Sequence, residues 1–333
     1  MSRLRNALVV LLLVWAGPGW AQVRLSVAVP GPLNLSYLPI DLAAKIGADT
    51  AEGAELILTQ LGGGGQALQY LENRNVDFAV AGVPAALSAK ARGKDVVVVA
   101  AVDDLPLFVF MVRADLKGDV KRPRDLKGRV VGVNTSSLAS KTTSQQLAEL
   151  ILKNDGVSPA QVRIIAAGQS WDEQSSLILT KSADAILGDE PFASRLKEAG
   201  EVFFLTNLSN PADAAKIPGA AFLHAGVETR SDVIRDAPAK VEKMVAVVRR
   251  TLQWMATRSP QQIVDALGVS DDATRTSLIK TLGQYPRLYS PDGKLSARQI
   301  AETDTFYAAS EGTAGKTPRL ADMTDDRWAG RKP

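Results

Sequence analysis

The chain of 333 residues contains no cysteine. This excludes disulfides, thiolate nucleophiles, thiolate metal sites and a lipid tether through cysteine. It contains one histidine, His224, which argues against a multi-histidine metal site and against histidine-centred catalysis. Aromatic residues are sparse, at 5 %. Beyond the N-terminus no apolar run approaches the ~18 residues of a membrane-spanning helix. An excess of one charge is also missing. The N-terminal Arg3 and Arg5 precede an apolar stretch, Ala7 to Ala16, and the small-x-small triplet Gly19-Trp20-Ala21. That pattern predicts a secretory signal peptide over 1–21, cleaved after Ala21. The 39 basic residues less these two leave 37 against 36 acidic ones. A near-neutral mature chain offers no electrostatic footprint for nucleic acid. The expected product is an unlipidated periplasmic protein, long enough for two domains.

Short apolar runs alternate with helical patterns along what remains. Val23 to Val29 alternates as a strand, Leu42 to Ile46 reads as a short helix, and Leu56 to Leu61 as a strand. A helical pattern from Gln66 follows, then strands at Val76 to Val80 and Val96 to Val102. The last is continuously apolar, the mark of a strand covered on both faces. The rhythm restarts with strands at Leu107 to Val112 and Val130 to Val133. A helix through Leu147, Leu150 and Ile151 stops at Asn154-Asp155-Gly156. Strands follow at Val162 to Ile165, Ala185 to Leu187 and Val202 to Leu205. Strand–helix–strand alternation with short connections predicts βαβ units and a mostly parallel sheet, twice over. From Ser231 the chain reads as helical, with a packing stripe from Val241 to Met255. The Gly- and Pro-marked tail from Thr313 reads as loosely ordered.

Several loops at strand ends carry candidate ligand contacts. Gly62 to Gly65 lacks the Lys and the spacing of a phosphate loop, and lacks the spaced glycines of a dinucleotide fingerprint. It remains either a tight turn or a place where backbone N–H groups at a helix start, Gly63 and Gly64 among them, meet a ligand. "GPLNLSYLP" supplies Asn34, Ser36 and Tyr37, and Gly82-Val83-Pro84 follows another strand. Seven of the eleven residues from Asn134 to Ser144 are Ser or Thr, more than helix capping requires. Ser140, Lys141, Thr142 and Thr143 are therefore candidates. Trp171 stands in a polar loop, where it covers a ligand or packs on its own helix. Asp189 and Glu190 follow a strand. Adjacent residues on extended chain point to opposite sides, so one is a ligand contact and the other a solvated or capping carboxylate. All these loops fall at carboxyl ends of strands, where open α/β sheets bind ligands. Two such rims facing each other form a cleft that closes by a hinge.

The stretches "GGGGQALQYLENRNVDFAVAG", "DLKGRVVGV", "ILKNDGVSPAQVRII", "SADAILGDEP" and "LYSPDGKLS", in this order, resemble the periplasmic solute-binding proteins of ABC importers in the nitrate/sulfonate/taurine and thiamine-precursor group. The resemblance spans nearly all of the mature chain. It implies an α/β, two-lobe hinged periplasmic-binding-protein fold of type II, each lobe a mostly parallel sheet flanked by helices. Residues 22–106 plus 225–333 form one lobe and 107–224 the other. It further implies a monomer that captures a small molecule in the cleft and delivers it to an inner-membrane permease, without chemistry or cofactor. Lys141-Thr142 stands where the group often has Gly-Ser, and Asp189-Glu190-Pro191 where it has Asn/Asp-Pro. Lys141 favours an anionic group and Glu190 a cationic or donor group. A small organic anion or zwitterion, or a polar ring with an acidic substituent, is expected. A fungal relative that makes the thiamine pyrimidine uses a Cys-rich motif, which this chain lacks. Two rival readings are a secreted enzyme with Asp189 or Glu190 as base and Lys141 as electrophile, and a ligand sensor that docks on a membrane receptor.

Overall fold

The computed structural model describes residues 22–311 and 318–332. The signal-peptide segment lies outside the described residues. Four strands open the chain: β1 (Val23–Pro30), β2 (Ala54–Leu61), β3 (Phe78–Gly82) and β4 (Val97–Ala101). Five more follow: β5 (Phe108–Arg113), β6 (Val130–Val133), β7 (Arg163–Ala166), β8 (Ala185–Asp189) and β9 (Val202–Asn207). Strand β10 (Ala225–Thr229) returns to the first set. The strands form two five-stranded sheets, in the orders β2-β1-β3-β10-β4 and β7-β6-β8-β5-β9. Each is mostly parallel with one reversed strand. β10 runs antiparallel to β3 and β4, and β5 runs antiparallel to β8 and β9.

The apolar run at Val96 to Val102 is buried throughout except for the partly covered Val97. Helices pack both faces of this sheet, as an unalternating strand requires. On one face, Val241, Met244, Val245, Val248 and Leu252 of the helix Pro238–Ala256 join Phe78 and Val80 in one core. On the other, Leu68, Leu71 and Leu87 pack against Ala79 and Ala81. The second sheet has its own cores, one around Phe110, Val131 and Leu147 and one around Met111, Ile178 and Ile186. The two sheets thus belong to two lobes.

The chain crosses between the lobes twice, after β4 and before β10. Asp103 ties the crossings together. Its Oδ1 accepts from the N–H of His224 (3.2 Å) and of Ala225 (2.9 Å). The helix Ala297–Glu311 straddles the junction: Ile300 and Tyr307 sit in the first lobe's core, Phe306 in the second's. Gly219 makes this close fit possible. It stands at φ +66, and a Cβ there would collide with the Glu302 carbonyl and the Phe306 nitrogen.

Three local expectations are corrected. The early helix runs Leu38–Ala43 rather than from Leu42, because Gly47 in the left-handed region ends that turn. The helix after the glycine run starts at Gly64, two residues before Gln66. The described part of the tail, 318–332, is packed rather than loose. Leu320 and Met323 are buried in the first lobe, and Arg331–Lys332 pairs as a strand with Leu295–Ser296. Two apolar anchors and a short ladder outweigh its polar composition.

Candidate functional site

The glycine run and the hydroxyl-rich loop meet each other. The Gly62 carbonyl accepts from the Ser136 N–H at 2.7 Å. A Cβ on Gly62 would lie 2.7 Å from Ser136 Cβ, one on Gly63 2.7 Å from Thr135 Oγ1, and one on Gly65 3.1 Å from Ser140 Cβ. Gly63 also holds φ 154, ψ 163, a region reserved almost wholly for glycine. Gly82 faces Thr143 in the same way. The glycines are the surface that the second lobe contacts. Other contacts span the same gap. Gln69 Nε2 donates to Ser140 Oγ (2.6 Å), and Gln146 Nε2 to the Pro84 carbonyl (3.2 Å) and Ser88 Oγ (2.8 Å). On the far side, Lys280 pairs with Glu198, and Ser209 Oγ meets the Tyr285 hydroxyl at 2.9 Å.

Behind this seam lies a small polar cavity of about 20 Å³, lined by residues of both lobes. That is room for about one water. Asn34, Tyr37, Gly64 and Gly82 contribute from the first lobe, and Thr142, Thr143 and Asp189 from the second. Asn34 caps a short turn by accepting from the Ser36 N–H (3.1 Å). Its amide donates across the gap to Asp189 Oδ2 (3.3 Å) and Gln169 Oε1 (3.1 Å). Thr142 caps the helix Thr143–Asn154, which starts at the cavity wall as does the helix Gly64–Glu72. Two helix N-termini bring open N–H groups and partial positive charge to the same place.

The cavity's ionisable groups are an acid and a neutral ring. Burial, then the charge of Glu190, pushes the Asp189 carboxyl up to about 7, against the lowering effect of hydrogen bonds from Asn34 and Asn134. Burial drives His224 down to about 3, so its imidazole is neutral near pH 7. His224 Nε2 lies 3.3 Å from the Tyr37 hydroxyl, and the ring meets Phe108 edge-on at 4.7 Å. Two buried polar atoms of the cavity-lining residues, Thr143 Oγ1 and His224 Nδ1, have no hydrogen-bond partner. Neither lysine nor arginine lines the cavity.

The remaining candidates lie elsewhere. Lys141 points away from the cavity, its ammonium 2.7 Å from Glu149 and 3.1 Å from Glu311. Two carboxylates hold it there, and its value as an argument for an anionic ligand is gone. Glu190, also buried, turns from the cavity to the first turn of the next helix, accepting from the Ser194 N–H (3.0 Å) and Oγ (2.8 Å). Of the two neighbouring carboxylates, Asp189 faces the cavity and Glu190 caps. Trp171 lies in a separate outer groove, with the Arg195 guanidinium 3.7 Å from its ring centroid. Val83 packs in the core, and Pro84 offers only its carbonyl. Ser36 is a buried turn residue, and Ser140 serves the seam.

Sequence reasoning did not single out Phe108, Asn134, Gln169 or His224 as lining residues. Asn134 and Gln169 stand at ends of loops already marked by composition. The two aromatic positions carry no such mark: His224 reaches the site only because β10 returns from the distant end of the second lobe.

Two α/β lobes joined by a double crossing, with a polar cavity at the facing strand ends, define the periplasmic-binding-protein class of fold. The chain belongs to the NMT1/THI5-like family, whose model matches residues 39–263. A protein of Bordetella bronchiseptica RB50 shares the fold with TM-score 0.82 at 20 % identity, covering 93 % of this chain and 96 % of its own. The alkanesulfonate-binding protein SsuA of Xanthomonas axonopodis pv. citri, solved with MOPS, matches with TM-score 0.69 at 17 % identity over 91 % and 98 % of the chains. The aliphatic sulphonate binding protein SsuA of Escherichia coli matches with TM-score 0.63 at 15 % identity over 90 % and 97 %. No curated protein sequence matches the chain. Among the described residues no helix is long and apolar enough to cross a membrane. Family and fold together support a solute-binding role.

Proposed function

We propose that this chain is the extracytoplasmic solute-binding component of an ABC importer. After loss of residues 1–21 it works in the periplasm as a monomer, and hands its cargo to an inner-membrane permease. Its lobes are 22–106 plus 225–333, and 107–224. The observation that carries the reading is the small polar cavity between the lobes, whose lining residues Thr143 and His224 leave Oγ1 and Nδ1 without protein partners. Buried polar atoms without partners are costly, and a ligand is the natural partner for them. The cavity as it stands has room for about one water, so the cargo enters by parting the lobes, and the lining favours a zwitterion or a neutral donor–acceptor molecule over a bare anion. Its acceptor or anionic end faces the two helix N-termini, and its donor end faces Asp189.

The enzyme reading needs a base, an electrophile and a reacting centre between them. Lys141, its electrophile, is bound by two glutamates away from Asp189. Native mass spectrometry of the protein purified without added ligand tests the proposal. A co-purified small molecule, released unchanged on denaturation, is expected. Turnover of that molecule by the purified protein refutes it.

A further inference from the structure

A groove of about 630 Å³ opens over the cavity, walled by both lobes. Gln169 lines groove and cavity alike. Its amide donates to the Asn134 carbonyl (2.8 Å), and its Oε1 accepts from Asn34. A single side chain therefore partitions the two spaces. The groove has an aromatic floor, in which Trp171 and Phe192 lie 6.4 Å apart at 60°. Leu33 and Leu278 add apolar wall.

The charges of this groove are unbalanced. Asp172, Glu173 and Asp271 line it against one cation, Arg195. Glu173 is fixed by the Gln169 and Ser170 N–H groups, and Asp271 by the Thr274 N–H at 2.7 Å. Both carboxylates hold fixed positions. Arg195 forms no salt bridge or side-chain hydrogen bond among the described residues. Its guanidinium carbon sits 3.7 Å from the Trp171 ring centroid, and its charge helps to lower the Asp271 carboxyl across the groove. A planar cation on an indole face, ringed by acids, is a stable arrangement.

We propose that the groove is an outer ligand subsite for a planar organic cation, and that Arg195 holds the face of Trp171 in the ligand-free protein until such a group displaces it. The subsite extends the ligand chamber proposed above and rests on that reading for its biological role. Four features carry it: the open volume, the aromatic platform, the acid excess and the guanidinium already seated there.

Benzamidine is the probe, because its amidinium reproduces the planar fork of arginine on a ring. Benzoate is its charge-reversed counterpart. Binding is read by ligand-observed saturation-transfer NMR and by tryptophan emission. Benzamidine is expected to bind the mature protein and benzoate not. Arg195→Ala removes the resident competitor and is expected to tighten benzamidine about two- to fivefold, the range a cation–π contact supplies. Trp171→Ala should abolish binding, while Trp171→Phe, which keeps a platform, should retain it. Weaker or unchanged benzamidine binding in Arg195→Ala overturns the proposal, as does equal binding of benzoate. Failures separate cleanly. A co-purified ligand with no benzamidine binding sinks the groove alone. Benzamidine binding without any captured solute sinks the transport reading and leaves the groove.

Discussion

Gly82→Ala isolates lobe closure from lobe folding. Gly82 stands at φ −75, ψ 116, a conformation any residue adopts, so alanine brings no backbone strain. Within its own lobe the new methyl would meet His224 Cε1 at 3.4 Å, an ordinary contact. Across the gap it would overlap Thr143 Oγ1 and lie 3.2 Å from Thr143 Cβ. Swinging the hydroxyl away costs no hydrogen bond, since Oγ1 has none, but Cβ cannot move without moving its helix. Overpacking of this kind costs about 1–3 kcal/mol. Charged wholly to the closed state, that shifts the open–closed equilibrium by about 5- to 150-fold. Small-angle X-ray scattering should show a larger radius of gyration for Gly82→Ala than for the parent, with unchanged far-UV circular dichroism. Thr143→Gly, combined with it, removes the opposing Cβ and should restore most of the compactness. An unchanged radius, or no recovery in the double variant, would refute the assignment of Gly82 to the seam.

Asp189 holds its proton when folded at pH values where the unfolded chain has lost it, with a folded value of about 7 against 3.8. Stability should therefore fall as pH rises from about 4 to 7, by on the order of 4 kcal/mol from this group. Melting curves of Asp189→Asn across that window should be flatter than the parent's, and equal slopes would reject the assignment. Lys141→Ala leaves Glu149 and Glu311 facing each other without their shared cation. It should lower apo stability by about 1 kcal/mol while leaving benzamidine binding unchanged, measured by denaturant titration and NMR. Gly219→Ala forces a Cβ into the backbone of the straddling helix at positive φ. It should cost about 3 kcal/mol or more, against less than about 1 for Gly118→Ala, whose Cβ meets nothing within 4 Å. Similar midpoints for the two variants would count against that packing.

The fold was legible because its signals are local. Continuous runs such as Val96 to Val102, strand-end glycines and the packing stripe at Val241 to Met255 each follow from period and burial. The loops that meet were legible for the same reason, since all lie at carboxyl ends of strands. What each side chain does there was not. Lys141 looked like a ligand contact because a cation beside a helix start attracts anions. Only the tertiary fold shows that the helix Ala297–Glu311, more than a hundred residues later, brings Glu311 to hold it. Glu190 and Asp189 could be given opposite roles from strand geometry, but which faced inward could not. His224 was read only as a reason to exclude histidine chemistry, yet it forms a cavity wall. The glycine run changed meaning most: sequence offered a turn or a ligand contact, and the structure makes it chiefly a contact between lobes.

That change bears on how ligand energy becomes closure. A ligand shifts a two-state equilibrium only through its different affinity for the two states. Thr143 Oγ1 and His224 Nδ1 are buried without protein partners. Each such atom left without any partner costs about 1–3 kcal/mol, so a ligand that pairs both is favoured by about 2–6 kcal/mol over one of the same shape that pairs neither. By the ordinary conversion this is about 30-fold to 10⁴-fold in affinity. The glycine–hydroxyl seam adds direct contacts between the lobes, such as Gly62–Ser136 and Gln69–Ser140. Under the proposed hinge motion, a ligand that pairs both atoms favours closure, whereas one that fills the space with apolar surface does not.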